Sequence, residues 1–122
     1  MRILAALAIV IVAGLHAGFL MLEMFYWDHP VGRQIFGMTP EQSAGTAVLA
    51  ANQGLYNGFI AAGLIWGLVA GKRDFQIFFL LCVIVAGLFG GFTAKPTIYV
   101  TQALPGVVAL LLVMVSRPAK TK

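Results

Sequence analysis

Residues 3–25, ILAALAIVIVAGLHAGFLMLEMF, form an apolar run interrupted only by His16 and Glu23. A bilayer core about 30 Å thick takes about 20 residues of α-helix to cross. This run meets that length without a break. A cleavable export signal would be shorter and would end in a small-x-small cleavage site, and neither feature fits. The stretch therefore reads as a membrane-crossing helix, and the rest of the chain is read outward from it.

Three further apolar runs follow, at about 47–70, 75–94 and 97–115. The connection at 26–46 is polar and contains Asp28, His29, Pro30, Arg33, Pro40 and Glu41. Within it, Thr39-Pro40-Glu41-Gln42 is a helix-start signature, with Thr39 as N-cap and Pro40 in the first turn. Gly71-Lys72-Arg73-Asp74 makes a short turn, and Lys95-Pro96 separates the last two runs. The expected fold is all-α: one integral membrane domain over residues 1–122, built as a four-transmembrane-helix bundle.

Composition agrees with that reading. The chain has 122 residues, 61% hydrophobic and 10% charged, against about a quarter charged in ordinary soluble domains. A water-facing surface could not be covered with so few charges. Four crossings put both termini on one side together with Arg2, Lys72, Arg73, Arg117, Lys120 and Lys122, leaving Arg33 and Lys95 opposite. Six cations against two predicts cytoplasmic N and C termini and a multi-pass protein of the bacterial inner membrane. The net charge of +4 is thus explained by topology, and no nucleic-acid partner is expected. Cys82, the single cysteine, lies in an apolar run and excludes an internal disulfide. Neither CxxC, HExxH nor a phosphate-binding glycine loop occurs, so no metal and no cofactor is expected.

Glycines recur four apart at Gly14/Gly18, Gly54/Gly58, Gly63/Gly67 and Gly87/Gly91. Small residues at that spacing let helix backbones approach closely where lipid offers no hydrophobic drive to associate. Packing inside the bundle is the preferred explanation, with a homo-oligomer seam as the alternative.

The polar residues of the spans are the functional signal. His16 and Glu23 are seven residues apart, two turns along one helix face, opposite Gly14 and Gly18. Asn52, Gln53, Tyr56 and Asn57 cover roughly 140° of the second span's wheel. Tyr99 and Gln102 begin the fourth. Counted by depth, all of these fall in one half of the bilayer, above a nearly pure apolar half. That asymmetry predicts a polar pocket open to the outer side, with the 26–46 connection as a lid. Polar groups in hydrocarbon are costly, and an ionisable one is a functional candidate by default. The ligand-binding candidates are therefore Glu23, His16, Asn52, Gln53, Tyr56, Asn57, Tyr99 and Gln102.

Three motifs, Glu23-Met24-Phe25-Tyr26-Trp27, Asn52-Gln53-Gly54-Leu55-Tyr56-Asn57-Gly58-Phe59 and Gln102-Ala103-Leu104-Pro105-Gly106, carry a resemblance over nearly the whole chain. The chain resembles the small membrane proteins catalogued as domain of unknown function 1304. The resemblance implies a four-span protein of about this length, and some members bear the label "epimerase". It supplies no established activity.

Three functional classes stay open at this point. In the first, Glu23 provides charge and His16 tunes its proton, while the amides and phenols hold a small molecule or ion for binding or transport. In the second, Glu23 and His16 are the catalytic candidates, a general acid and base in isomerase-like proton transfer on a lipophilic substrate. In the third, the polar groups only fasten helices in a structural or accessory subunit. The partners expected are the lipid bilayer, a small-molecule or lipid ligand and, under the alternative seam, a second copy.

Overall fold

The computed structural model describes residues 1–116; the basic tail with Arg117, Lys120 and Lys122 lies outside the described residues. The chain is all-α. Helix α1 is Arg2–Phe25, α2 Pro30–Phe36, α3 Pro40–Val69 and α4 Arg73–Thr93; a π-helical turn, Tyr99–Ala103, leads into α5, Leu104–Val115. α1, α3 and α4 are each long and apolar enough to cross a membrane. The stretch expected as the fourth crossing is a shorter apolar helix, Tyr99–Val115, which falls below the length of those three. Val48, Val69 and Phe92 are 86%, 83% and 85% exposed. Helices that show large apolar side chains outward as well as inward belong in lipid, since water would penalise that surface.

The chain divides into two compact units, residues 1–15 with 60–122 and residues 16–59. The first unit is a bundle of pieces from four helices. Ala5, Ile9, Val12 and Ala13 of α1 recur at helical spacing and pack with Leu64 of α3, Leu80 and Val83 of α4, and Ala109 and Val113 of α5. Glycines set how closely these helices approach. A Cβ on Gly87 would come within 2.7 Å of the Ala103 backbone nitrogen, and one on Gly106 within 2.9 Å of Val83. Gly63 lies under the Phe79 ring and Gly91 under the Tyr99 ring. Intramolecular packing thus uses these glycines, whereas Gly14 and Gly18 have nothing within 4 Å of a would-be Cβ.

Three details follow from local chemistry. Gly71 takes φ +64°, and the Lys72 and Gly71 N–H groups donate to Gly67 and Leu68 carbonyls at 2.9 and 3.2 Å, a left-handed C-cap that ends α3. Pro105 has no N–H to return to the Thr101 carbonyl, and its ring would crowd that oxygen. The helix responds by widening: the Leu104 N–H donates to the Tyr99 carbonyl, five residues back. Just past the Gly71 turn, the Arg73 guanidinium donates through Nη2 to the Met114 carbonyl at 2.9 Å, a cation at the C-terminal end of α5.

The second unit holds the end of α1, the connection and the start of α3. α3 begins with a reciprocal cap: the Thr39 N–H donates to Gln42 Oε1 at 2.9 Å and the Gln42 N–H to Thr39 Oγ1 at 3.2 Å. The connection, expected from the sequence as a polar link between spans, itself carries the short helix α2. His29 caps it, Nδ1 accepting from the Val31 N–H at 3.2 Å, and Gly37 at φ +65° ends it.

Candidate functional site

Within the second unit, α1 and α3 meet at Gly54. A Cβ there would stand 2.7 Å from Met24 Cγ, 3.1 Å from Glu23 Cβ and 3.2 Å from the Leu20 carbonyl oxygen. One turn on, Gly58 receives the Leu20 side chain, whose Cδ1 would be 2.6 Å from a Cβ. The Gly54-Gly58 spacing is therefore a groove on α3 that seats α1. This close approach brings Asn57 onto Glu23: Asn57 Nδ2 donates to Glu23 Oε2 at 2.7 Å. Both residues are half-buried. The other carboxylate oxygen accepts no hydrogen bond from any described residue.

The remaining candidates have different surroundings. His16 is 1% exposed, with its ring edge-on to Phe19 at 5.4 Å. It lies about 10 Å from Glu23 along α1 by helical rise. Asn52 and Gln53 are exposed on α3 and make no hydrogen bond with described residues. Tyr56 is also exposed, its ring edge-on to Phe59 at 5.7 Å. Tyr99 and Gln102 belong to the first unit. There Tyr99 covers Gly91, and Gln102 Nε2 donates to the Val83 carbonyl at 3.4 Å. The pairing that the structure makes directly is Glu23 with Asn57.

A second polar cluster, absent from the sequence candidates, fixes the connection. Asp28 Oδ1 accepts from Ser43 Oγ at 2.6 Å and from Arg33 Nη1 at 2.9 Å. Ser43 is fully buried. Trp27 Nε1 donates to Thr46 Oγ1 at 2.9 Å, and the Trp27 ring lies 4.7 Å from that of Phe36. The Ser43 hydroxyl above all, and then the Arg33 guanidinium, hold the Asp28 carboxyl below the usual carboxylate range. The signal available in the sequence was the spacing of Thr39, Ser43 and Thr46, which puts three hydroxyls on the first two turns of one helix.

The family model for DUF1304, described as a protein of unknown function, matches residues 10–114. The chain belongs to the DUF1304 family. All eight candidate residues, from His16 to Gln102, fall inside the matched range. The chain is also similar to a protein of Lactococcus lactis subsp. lactis (strain IL1403) named "Uncharacterized protein YpaA". The two are 31% identical over 94 residues, which covers 74% of this chain and 79% of that one. No solved structure gives a significant match. DUF1304 membership leaves the chemistry to be argued from the residues.

Proposed function

We propose that this chain is a multi-pass protein of the bacterial inner membrane, its termini cytoplasmic, that binds or transports a small molecule or ion taken from the outer side. One observation carries the reading: a carboxylate on a membrane-spanning helix has one oxygen held by an amide while the other accepts nothing from the described residues. A carboxylate is acceptor-only when ionised, with room for more donors than Asn57 supplies. The ligand that completes it carries positive charge or N–H and O–H donors. The exposed amides of Asn52 and Gln53 on the same helix add donors and acceptors for its neutral part. An amine or a monovalent cation fits this description, and an anion does not.

Equilibrium binding to the purified protein in detergent, with sodium and with tetraphenylphosphonium as probes, tests the reading. Saturable binding of at least one probe is expected, with Glu23→Gln weakening it by about tenfold or more, equivalent to about 1.4 kcal/mol. Asp74→Asn, in the first turn of α4, leaves affinity unchanged. Equal affinity in Glu23→Gln, or no saturable binding of either probe, removes the reading.

A further inference from the structure

Helix α2 is short, and its side chains divide cleanly by angle. Val31, Ile35 and Phe36 occupy one arc of its wheel, while Arg33 and Gln34 occupy the opposite one. Gly32 lies within the apolar arc, between Ile35 and Phe36, and faces inward, because a Cβ there would run into the Tyr26 and Trp27 carbonyl oxygens. That contact fixes the helix's rotation. Val31 and Ile35 remain 46% and 45% exposed, as do Phe25 at 64% and Tyr26 at 41% where α1 ends. Exposed apolar side chains thus stand both where α1 ends and on α2, and the contact of Gly32 with the Tyr26 and Trp27 backbone keeps the two elements together.

Charge agrees with this. Arg33 is paired with Asp28 at 2.9 Å, so α2 brings no unbalanced charge to the surface it meets. A lid standing in water would expose Val31 and Ile35 at a cost. A helix lying in the headgroup region would bury them and leave Gln34 wet.

We propose that α2 is an interfacial helix, lying flat in the outer leaflet with Val31 and Ile35 among the acyl chains near the headgroups. Its partner is the lipid of the same bilayer, and the proposal holds whatever ligand Glu23 takes.

Nitroxide labels test it. In a Cys82→Ser background, which removes the chain's single cysteine, the variants Val31→Cys, Gln34→Cys and Ile35→Cys are each labelled and placed in phosphatidylcholine–phosphatidylglycerol vesicles. Collision with oxygen, concentrated in lipid, is compared with collision with a water-soluble nickel chelate. Expected is an oxygen-to-nickel ratio at positions 31 and 35 at least threefold that at 34. A ratio alike at all three positions, or nickel dominant at 31 and 35, overturns the proposal. So does low access to both reagents with dipolar broadening between labels, which would put a second copy on this face. A single-tryptophan Trp66→Phe protein gives an independent readout. Trp27, stacked on Phe36, should be quenched by lipids brominated high on the acyl chain at least twice as strongly as by lipids brominated near its end. The reverse order counts against the proposal.

Discussion

The contact between Asn57 and Glu23 makes a quantitative prediction. The bond is 2.7 Å long and its acceptor is a carboxylate, which when ionised makes a hydrogen bond roughly twice as strong as a neutral one. Interhelical hydrogen bonds in membrane proteins average about 0.6 kcal/mol by double-mutant cycle, with a maximum near 1.7. Doubling the average and staying near that ceiling gives a coupling of about 1–2 kcal/mol, or roughly 5- to 30-fold in the unfolding equilibrium constant. The cycle uses Asn57→Leu, close in volume and without donors, and Glu23→Leu, which removes the acceptor, with the double variant to close it. Unfolding is followed by circular dichroism in mixed micelles as the denaturing detergent fraction rises. Asn57→Leu alone should destabilise, because it leaves the half-buried carboxylate without its donor among the described residues. The loss should shrink in the Glu23→Leu background. Coupling below about 0.3 kcal/mol would refute the argument that this pair is a real energetic contact within the bundle.

Other predictions concern the packing and the connection. Gly32→Ala should detach α2, since the new methyl would overlap a backbone oxygen of Tyr26 that cannot rotate away; proteolysis between α1 and α3 should then become much faster. Gly87→Ala should lower stability by about 2 kcal/mol net: a Cβ there meets the Ala103 backbone, which cannot give, so the overpacking cost stands at the upper end, about 3, less about 1 for alanine's helix propensity. Unchanged denaturant midpoints would contradict it. Asp28 titrates lower in the folded protein than in the unfolded one. Its stabilisation is therefore complete above the ordinary carboxylate value near 4 and is lost as pH falls through the depressed native value. Trp27 emission in the Trp66→Phe protein should accordingly change as pH drops below about 4, and Asp28→Asn should abolish that change.

How much of this could be read from the sequence depends on what sets each feature. Membrane-crossing helices are dictated by composition over some twenty residues, so an apolar run such as 3–25 is unmistakable. The start of α3 was equally legible, because Thr39, Pro40 and Gln42 act on each other within one turn. α2 was not. Its signals, His29, Pro30 and Gly37, are present, but a seven-residue helix has too few internal bonds to hold itself. Tertiary contacts hold it, through Gly32 on the Tyr26 and Trp27 backbone and Asp28 between Arg33 and Ser43. The π turn was hidden for a similar reason: Pro105 announces a disturbance, but only the fit of Ala103 against Gly87 decides which kind. In the site, counting residues along a helix gives depth and angle but not which neighbour a side chain meets. Depth gathered eight candidates. The pairing of Glu23 with Asn57 came from the close approach at Gly54, which the glycine spacing indicated without naming its partner.

That close approach also bears on whether the polar residues are fasteners or a binding site. A fastener is best when every donor and acceptor is used, since an unmet polar group in a membrane is a liability. The α1–α3 seam is already closed by Gly54 and Gly58 receiving Met24, Glu23 and Leu20, so it does not need a carboxylate. Glu23 nonetheless stands at the seam with one oxygen that accepts nothing from the described residues, and Asn52 and Gln53 stand exposed on the helix beside it. Proton-transfer catalysis with His16 would have to span about 10 Å along α1, whereas binding asks only for a donor at the open oxygen. Holding a ligand is therefore the activity that uses the arrangement with the fewest added conditions.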